Sequence, residues 1–418
     1  MAGYAVLFLI MVSVAAVAAP ALNYTKIGTF LSLQAAILAF VLMALSQFMA
    51  ARPRFVESMF GGLDKLYVAH RRIGYAVLAL ILVHYLKTPD FKGLFLNKEL
   101  NDLAREFGTY AFYALCALIT LSIVKWIPLI KVSIPYNVWY ITHRFVGFAF
   151  AALAFHQFFI KKPFDQSEPI ALVINCFAAL GMASFAYTQA LAHFRKRDYR
   201  VISVVQHPSA TIVTAKPMGR PLKLARGQFA ILHARRPELR EPHPFTVAGI
   251  GTDGSLKFAI KPAGDFTKRL REHLRQGDIL RLEGGYGRFD FKRGGDRQLW
   301  IAGGIGVTPF MSMLSDLKDN PRVDVTMVYC VRDKQETIDL DNFVAADEQL
   351  PNFKFILHAS ADNGRLDAKR LAEIADLKPG QSDLFFCGPA ALRRVIVDGL
   401  EQLGMAPRRV WFERFEFR

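Results

Sequence analysis

The stretch YVAHRRIGYAVLALILVHYL, residues 67–86, is mostly apolar and carries one histidine near each of its ends. As a helix it would be about 30 Å long at about 1.5 Å per residue, which matches the hydrocarbon core of a bilayer. An ionisable side chain inside such a helix is unfavourable unless it is buried and partnered, so His70 and His84 are functional candidates. The stretch therefore predicts a membrane-spanning helix with a site at each of two depths.

A second apolar stretch, residues 138–160, carries His143 and His156. Neutral imidazole is a ligand of haem iron, and a haem between two facing helices takes one histidine from each. The histidines are 14 residues apart in the first stretch and 13 apart in the second, or about 20 Å of helical rise. We therefore predict two stacked haems, an inner one bound by His70 and His143 and an outer one bound by His84 and His156.

The two spacings differ in helical geometry. On an ideal helix, a separation of 14 residues leaves two side chains within about 40° of one face, whereas 13 residues leave them about 140° apart. The second spacing is compatible with two haem ligands if the helix is irregular, for which Gly147 is a suitable position, or if the two haems are widely offset.

The composition of the 418-residue chain indicates a membrane half joined to a soluble half, because a mean hydropathy of +0.22 accompanies 21% charged residues. Positive-inside loops and anionic cofactors account for the net charge of +16, so nucleic-acid binding is not expected. The four cysteines include no CxxC pair, which argues against a disulfide scaffold or a zinc site.

Six apolar segments near spanning length precede residue 195. They are Tyr4–Leu22, Thr29–Met49, Tyr67–Leu86, Phe107–Leu129, Val138–Ile160 and Pro169–Ala192. The basic run Arg195–Arg197 indicates that the C-terminal half is cytosolic. The Lys87–Glu106 and Lys161–Glu168 loops then lie outside, as expected for a multi-pass protein of a bacterial-type inner (plasma) membrane. The first segment has small residues before Pro20, as a signal peptide would, but lacks a positive region before them.

The soluble half shows two further patterns. From residue 198, short alternating strands broken by glycine and proline are typical of a small antiparallel barrel. From residue 298, apolar strands alternate with helical stretches, which predicts a parallel α/β sheet. The expected fold is a six-helix transmembrane haem-binding bundle (1–195), a β-barrel domain (196–296) and an α/β domain (297–418).

Four motifs of the soluble half are suited to anionic cofactors. HPFT, residues 243–246, follows a predicted strand, and GDFT, residues 264–267, opens a predicted helix. GGIGVTP, residues 303–309, leads from an apolar strand into a helix, whose first amides favour a dinucleotide phosphate. Alone, this glycine pattern could be only a tight strand-to-helix turn. CGP, residues 387–389, ends a later strand, where an open sheet presents its ligand crevice.

Taken in order, these motifs, the histidine spacings and the ending FERFEF resemble the ferric reductase and NADPH oxidase superfamily. The resemblance covers nearly the whole chain, and it includes histidines 14 apart on the third helix and 13 apart on the fifth. It implies a cytosolic half like ferredoxin-NADP reductase, with an FAD-binding barrel and an NAD(P)H-binding sheet, and two b-type haems.

The resemblance also implies roles for individual residues. FAD would contact His243, Pro244, Phe245, Thr246, Lys261, Gly264, Phe266 and Thr267. The nicotinamide dinucleotide would contact Gly303, Gly304, Gly306, Thr308, Pro309, Gly388 and Pro389. The catalytic positions would be Thr246 near the flavin ring, Cys387 beside the nicotinamide and Phe417 over the flavin, although Arg418 follows Phe417 here.

The segment VYCVRDK, residues 328–334, bears on the choice of nucleotide. An acid at this strand end would favour NADH through the ribose 2′-hydroxyl, whereas Arg332 and Lys334 offer cations to a 2′-phosphate. Asp333 lies between them and should point away along an extended strand. We expect NADPH to be preferred and NADH to remain usable.

The pattern and the resemblance together predict a membrane oxidoreductase that passes electrons from NAD(P)H through FAD and the haems to an acceptor outside. Oxygen, which would give superoxide, is the expected acceptor, because it needs only a reachable haem edge and no dedicated iron site is evident. A ferric chelate or a periplasmic partner protein is the alternative. The expected partners are the small-molecule acceptor and membrane lipid. No regulatory subunit and no calcium-binding loop are evident from the sequence.

Overall fold

The computed structural model describes residues 2–413 apart from 24, 88, 90, 125, 128–131, 134 and 135. The chain divides into two compact units, Met1–His193 and Phe194–Arg418. The first unit is mainly helical, and the second is built from strands and helices. The architecture thus changes where the long apolar segments end.

The described residues of the first unit form eight α-helices and one hairpin, and a π-helix, Tyr187–Leu191, continues the last α-helix. The helices are α1 (Ala2–Leu22), α2 (Ile27–Ala50), α3 (Arg54–Phe60), α4 (Leu63–Leu86), α5 (Lys98–Ile123), α6 (Tyr136–His143), α7 (Val146–Phe159) and α8 (Pro169–Ala186). The hairpin consists of β1 (Trp126–Ile127) and β2 (Val132–Ser133). Within the described part of the chain, six helical segments are long and apolar enough to cross a membrane, which confirms the predicted number.

The fourth spanning helix begins earlier than the sequence predicts. The prediction is Phe107–Leu129, whereas α5 covers Lys98–Ile123. Asn97 caps this helix, because its side-chain oxygen accepts a hydrogen bond from the Leu100 amide (3.0 Å). The charged residues that follow the cap are therefore helical, and the loop before α5 is shorter than predicted.

The fifth spanning segment is interrupted between α6 and α7. Four amides here donate to the carbonyl three residues earlier instead of four, namely those of Arg144, Phe145, Gly147 and Phe148. Such a 3₁₀ turn advances by about 120° per residue, against about 100° in an α-helix. Over about four residues this overwinding reduces the angle between the two histidines of the segment from about 140° to about 60°. The irregularity that the 13-residue spacing requires is therefore present.

The interruption lies just before Gly147, the position that the sequence suggests. Gly147 itself makes room for a neighbour, because a Cβ atom there would meet the Phe185 ring of α8 at 2.2 Å. A Cβ atom at Gly181 of α8 would likewise meet the Phe150 ring of α7 at 2.4 Å. Phe150 also stacks on Phe40 of α2, with ring centroids 5.1 Å apart. These glycines allow α2, α7 and α8 to pack closely.

The second unit begins with a closed barrel of six antiparallel strands in the order β3-β4-β7-β6-β5-β8. The strands are β3 (Arg197–Gln206), β4 (Thr211–Pro217), β5 (Phe229–Ala234), β6 (His243–Ile250), β7 (Leu256–Ile260) and β8 (Ile279–Tyr286), with α9 (Asp265–His273) between the last two. The side chains of Tyr199, Leu232 and Phe258 are fully buried in its core. The predicted antiparallel barrel is confirmed.

A parallel sheet of five strands follows, in the order β11-β10-β9-β12-β13. Its strands are β9 (Arg297–Gly303), β10 (Asp324–Val331), β11 (Phe353–Ala359), β12 (Asp383–Cys387) and β13 (Arg409–Phe412). The helices are α10 (Thr308–Leu317), α11 (Leu340–Gln349), α12 (Ser360–Asn363), α13 (Ala368–Ile374) and α14 (Ala390–Gln402). The strand order reverses direction between β9 and β12, which is where open parallel sheets bind ligands. The predicted α/β sheet is confirmed.

Polar contacts join the barrel to the sheet within the second unit. The Gly227 amide donates to Ser312 Oγ of α10 (2.9 Å), which in turn donates to the Pro309 carbonyl (2.9 Å). A Cβ atom at Gly227 would lie 2.0 Å from the Phe289 carbonyl oxygen, and the φ of +80° there favours glycine. The start of α10 is thus held against the barrel.

A fragment that begins at Phe194 should fold alone as a soluble protein, because the barrel, the sheet and the contacts between them lie within the second unit. It retains the ion pair between Arg195 and the buried Glu283 (3.1 Å). We expect one cooperative thermal transition by circular dichroism and one bound FAD per chain by absorbance.

The matched variant is Gly227→Ala in the same fragment, which should lower the transition temperature by about 5 °C or more, at about 2–4 °C per kcal/mol. A fragment that folds but binds no FAD would contradict the role predicted for the barrel.

Candidate functional site

Each predicted pair of histidines is brought together in the first unit. The His70 and His143 rings have centroids 6.0 Å apart and are inclined at 71°. His84 and His156 are close enough to interact electrostatically. His70 and His84 lie on α4, whereas His143 and His156 lie in the last turns of α6 and α7. We refer to these as the His70 pair and the His84 pair.

Helix α2 holds both histidines of α4 through their Nδ1 atoms. Ser46 Oγ lies 2.9 Å from Nδ1 of His70, and Ser32 Oγ lies 3.0 Å from Nδ1 of His84. Ser32 Oγ also donates to the His84 carbonyl (3.2 Å), and the Ser32 carbonyl oxygen lies 3.2 Å from the same Nδ1. Since a carbonyl can only accept a hydrogen bond, Nδ1 of His84 carries the proton.

Helix α5 holds the other two histidines in the same way. Ser122 Oγ lies 2.9 Å from Nδ1 of His143 and donates its own proton to the Leu118 carbonyl (2.7 Å). The hydroxyl therefore accepts from Nδ1 of His143. Nδ1 of His156 lies 2.8 Å from the Ala104 carbonyl oxygen, which can only accept. Both rings are thus protonated at Nδ1, which leaves a lone pair on Nε2.

In each of the four histidines, the second ring nitrogen, Nε2, makes no hydrogen bond to any described residue. The described residues also contain no cluster of three or more His, Cys, Asp or Glu side chains that could hold a metal ion. A haem needs only two protein ligands, because the porphyrin supplies the other four. Histidines that are hydrogen-bonded through one nitrogen and open at the other are typical metal ligands. The donor set of each pair therefore fits a haem.

Sequence reasoning misses the acceptors of these bonds. Serine is common in apolar helices, where its hydroxyl often bonds a carbonyl of its own helix, and a backbone carbonyl leaves no sequence trace. One feature could have revealed part of the set, because Ser32 and Ser46 are 14 residues apart, like His70 and His84 on α4.

Gly108 of α5 makes room for the His156 ring. A Cβ atom at this position would lie 2.4 Å from Nδ1 of His156. Gly108 lies one helical turn after Ala104, whose carbonyl accepts from the same nitrogen. Glycine is required at position 108 because the His156 ring lies too close to α5 for a larger residue there.

The HPFT and GDFT motifs meet on the barrel. The His243 ring stacks on the Phe266 ring with centroids 4.1 Å apart, and the Phe245 ring lies 6.3 Å from the same ring. HPFT forms the start of β6, where Thr246 is paired with Phe229 of β5 and is largely buried. Burial lowers the pKa of His243, although Glu241 partly offsets this effect, so the ring is largely neutral at physiological pH.

The GDFT motif forms the start of α9. Thr267 Oγ1 accepts from the amides of Ala263 and Gly264 and donates to the Gly264 carbonyl, each at 2.9 Å. Thr267 therefore shapes this turn instead of offering a free hydroxyl. A Cβ atom at Gly264 would meet no atom within 4 Å, and Lys261 is exposed nearby. An open helix start with a nearby cation suits a pyrophosphate group.

The GGIGVTP and CGP motifs meet where the strand order reverses, at the carboxyl ends of β9 and β12. A Cβ atom at Gly306 would lie 2.1 Å from the Cys387 carbonyl oxygen, and one at Gly303 would lie 2.8 Å from Pro389 Cδ. These two glycines therefore allow the motifs to pack against each other. Gly304 has a φ of +55° and no atom within 4 Å of its Cβ position, so it leaves open space for a ligand.

Thr308 and Gly388 of these two motifs also stabilise the packing of the strand ends. Thr308 is buried, and its hydroxyl donates to the Ile305 carbonyl (3.2 Å). Gly388 packs on Gly303, where a Cβ atom would lie 2.9 Å from the Gly303 Cα. The two strand ends are therefore interlocked before any ligand binds.

Cys387 is fully buried at this crevice. Burial, together with the charge of Glu413, raises the pKa of its thiol well above the usual value. The residue is therefore a neutral thiol at physiological pH. Glu413 was not predicted as a site residue, and its carboxylate reaches the barrel, because a Cβ atom at Gly287 would lie 2.6 Å from its Oε1. Phe417 lies outside the described residues.

The two cations predicted to read the nucleotide lie after β10, whose end is adjacent to that of β9. Arg332 is exposed. Lys334 forms an ion pair with Asp362 (3.2 Å), so part of its charge is already compensated. Asp333 accepts from the Gln335 amide (2.9 Å) and is held by its own turn. Arg332 is therefore the better placed of the two cations for a 2′-phosphate.

Three protein families match successive parts of the chain. The ferric reductase like transmembrane component family matches residues 35–154, the FAD-binding domain family matches residues 197–314, and the oxidoreductase NAD-binding domain family matches residues 300–398. Each of the two units is therefore covered by matches to redox families.

The individual relatives share only modest sequence identity with the chain. NADPH oxidase 4 of Mus musculus is 32% identical over 139 residues, which cover 29% of this chain and 24% of that protein. The toluate 1,2-dioxygenase electron transfer component of Pseudomonas putida is 23% identical over 45% of this chain and 58% of its own length. The crystal structure of flavohemoglobin from Malassezia yamatoensis with bound FAD and heme matches with a TM-score of 0.51 at 17% identity, covering 94% of this chain and 100% of that one. The chain thus spans less than two thirds of the length of each of these two curated relatives, and the structural match concerns the fold alone.

Gly108→Ala should remove the haem of the His84 pair, because its methyl group would lie 2.4 Å from Nδ1 of His156 and would displace the ring. We expect the haem-to-protein ratio, measured by absorbance, to fall by one haem, while reduction of the flavin by NADPH is unchanged.

The control is Gly219→Ala, because Gly219 is an exposed glycine of the second unit, which carries none of these four histidines, and a Cβ atom there would meet no atom within 4 Å. This variant should keep the full haem content. Equal haem contents in the two variants would contradict the role of His156 as a ligand.

Proposed function

Because the chain belongs to the ferric reductase and NADPH oxidase superfamily, we propose that it is a transmembrane NADPH oxidase. Electrons pass from cytosolic NADPH through FAD and two b-type haems to oxygen on the outer face, which gives superoxide. The enzyme works in a bacterial-type inner membrane.

The arrangement of the four histidines carries this proposal. They form two pairs, each with one histidine on α4 and one on the fifth spanning segment, and every ring is hydrogen-bonded through Nδ1. Haem iron held between two histidines supplies reversible one-electron transfer inside the membrane. Two such pairs about 20 Å apart along the helices give a route across the bilayer.

The electron balance requires two oxygen molecules for each nucleotide. One NADPH gives up a hydride, and therefore two electrons, and each oxygen molecule accepts one electron. The products are NADP⁺, one proton and two superoxide ions.

The second unit binds the hydride donor and its acceptor. The open start of α9 beside Lys261 would hold the pyrophosphate of FAD, and the HPFT strand would line the flavin. The crevice between β9 and β12 would hold the nicotinamide dinucleotide. There Gly304 leaves open space for the dinucleotide, and the Cys387 thiol stays neutral.

The side of the membrane follows from the number of crossings. The basic residues after the sixth span favour a cytosolic second unit. With six spans, the loops 87–97 and 160–168 then lie on the outer face. The His84 pair, at the ends of the third and fifth spans, is the outer one in this proposal.

These two outer loops are joined into a cap. Leu94 and Lys162 form an antiparallel bridge with two backbone hydrogen bonds (2.8 and 2.9 Å). Lys161 Nζ donates to the Phe91 carbonyl (3.0 Å) and lies 5.1 Å from the centre of that ring. Gly93 packs closely, because a Cβ atom there would lie 2.5 Å from the Lys162 carbonyl oxygen. A cap closed in this way favours a small acceptor such as oxygen over a bulky ferric chelate.

Lys162 contributes a buried positive charge to this cap. The residue is 8% exposed, and burial lowers the pKa of its ammonium group to about 8. The ammonium donates to the Phe158 carbonyl (3.4 Å), lies about 6 Å from the centres of the Phe158 and Phe164 rings, and interacts electrostatically with His156. A cation at this position stabilises the negative charge that oxygen gains with an electron.

The experiment that tests the proposal is NADPH-driven oxygen uptake by the purified protein. We expect rapid uptake that superoxide dismutase reduces and that ferric chelates do not compete with. Reduction of ferric chelates at the rate of oxygen uptake would favour the ferric reductase alternative. Negligible oxygen uptake by a preparation whose haems are reduced by NADPH would favour transfer to a periplasmic partner protein.

Lys162→Met should lower the rate of oxygen uptake by about fivefold, the effect of about 1 kcal/mol on the barrier, without slowing haem reduction by NADPH under argon. The ammonium is charged below a pKa of about 8 and neutral above it, so the wild-type rate should fall as the pH rises through about 8. Lys162→Arg should abolish this fall, since arginine stays charged.

Lys92→Met, which removes an exposed lysine of the same cap, is the matched control and should behave like the wild type. A Lys162→Met enzyme with the wild-type rate and pH profile would exclude this role for the cation.

Arg332→Ala should raise the KM for NADPH several-fold and barely change that for NADH, because a charge-assisted contact to the 2′-phosphate contributes at most about 1.5–3 kcal/mol. Steady-state kinetics with both nucleotides measure this. Lys334→Ala should have a smaller effect, since Lys334 is already paired with Asp362. Equal changes for NADPH and NADH in the Arg332→Ala enzyme would show that Arg332 does not read the 2′-phosphate.

A further inference from the structure

Ser46 and Ser122 lie on different helices, and each hydroxyl is 2.9 Å from Nδ1 of a histidine of the His70 pair. We infer that both serines are positioning residues that accept a hydrogen bond from Nδ1 and thereby set the reduction potential of the haem at this pair. The inference rests on the proposed haem ligation. It concerns one haem only, because the other pair is held mainly by backbone carbonyls.

Helix α2 is built to reach both histidines of α4. Ser32 and Ser46 have the same 14-residue separation as His84 and His70. Since the two helices run antiparallel, the later serine meets the earlier histidine and the earlier serine meets the later one. A repeat shared by two neighbouring helices keeps both contacts in register over both levels.

Ser122 has a defined direction of hydrogen bonding. Its only proton goes to the Leu118 carbonyl at 2.7 Å, so its oxygen can only accept from Nδ1 of His143. Ser46 must also accept if His70 binds iron through Nε2, because Nδ1 then carries the ring proton. Both ligands of this haem thus donate to a hydroxyl oxygen.

The membrane makes these bonds hard to replace. No water is available in the hydrocarbon region, so a buried donor that loses its acceptor stays unsatisfied, which is unfavourable. An acceptor on the second nitrogen also makes an imidazole more basic toward its metal. A more basic ligand stabilises ferric iron relative to ferrous iron, so loss of either hydroxyl should raise the potential of this haem.

The His84 pair provides an internal comparison. Nδ1 of His156 bonds the Ala104 carbonyl (2.8 Å), and Nδ1 of His84 is also 3.2 Å from the Ser32 carbonyl. Both acceptors are backbone carbonyl oxygens, which remain in place when a side chain is substituted. Ser32→Ala should therefore have little effect on the outer haem, although Ser32 is as close to its histidine as Ser46 is.

The test is a potentiometric titration of the haem absorbance in the full-length protein, together with the haem content. The variants are Ser46→Ala, Ser122→Ala and Ser32→Ala. Ser184→Ala is the matched control, because Ser184 is a buried serine of α8 that donates to the Leu180 carbonyl (2.7 Å), as Ser122 does to Leu118, but bonds no histidine. Elution as a single species by size exclusion identifies folded variants.

Ser46→Ala and Ser122→Ala should each raise the potential of one haem, with a change in the ferric-to-ferrous ratio of up to about tenfold, or about 59 mV for a one-electron couple. A folded variant that instead loses this haem also supports the inference, because removal of such acceptors weakens metal binding by about 10–100-fold. Ser122→Thr, which retains the hydroxyl, should restore the wild-type values.

Three results would overturn the inference. They are unchanged potentials and haem content in both Ser46→Ala and Ser122→Ala, an equal change in Ser184→Ala, and failure of Ser122→Thr to restore what Ser122→Ala loses. A wild-type protein that binds no haem would instead overturn the proposed function.

Discussion

A ring N–H inside the hydrocarbon region of a membrane has no water to bond, so it must find its acceptor in the protein. The first unit meets this constraint four times. Each Nδ1 contact crosses from one helix to its neighbour, from α4 to α2 or from the fifth spanning segment to α5. The same four contacts turn Nε2 away from the acceptor helices. The same four hydrogen bonds therefore hold neighbouring helices together and orient the histidine ligands.

Helices can exchange such bonds only if their backbones come close, and glycine provides the approach. Gly108 leaves space for the His156 ring beside the carbonyl that receives its proton. Gly147 and Gly181 allow α7 and α8 to interlock through Phe185 and Phe150. Because lipid offers no hydrophobic drive for helix association, this close packing contributes much of the energy that holds the helices together.

Much of this arrangement could be predicted from the sequence. Histidines in apolar segments stand out because their burial is unfavourable, and their spacing sets their depth. The 13-residue spacing called for an irregularity in the fifth segment, but its form, a 3₁₀ turn that starts at Arg144, could not be predicted, because such a turn depends on hydrogen bonds that no residue type demands. The start of α5 was missed because hydropathy marks the apolar part of a helix and not its cap at Asn97. The acceptors were missed because serine hydroxyls and carbonyls are present in many helices, and only the structure shows which of them meet a histidine.

The glycine motifs of the second unit illustrate the opposite difficulty, because the residues are conspicuous and their roles are ambiguous. A glycine after a strand can admit a phosphate or admit another backbone, and sequence does not separate the two. Here Gly303 and Gly306 have no room for a Cβ atom against the CGP turn, whereas Gly304 faces open space. The two packing glycines bring β9 and β12 together where the strand order reverses, and this contact forms the crevice that the third glycine leaves open. A binding site at a strand-order reversal therefore depends first on how closely the strand ends pack, and the ligand contacts follow from that.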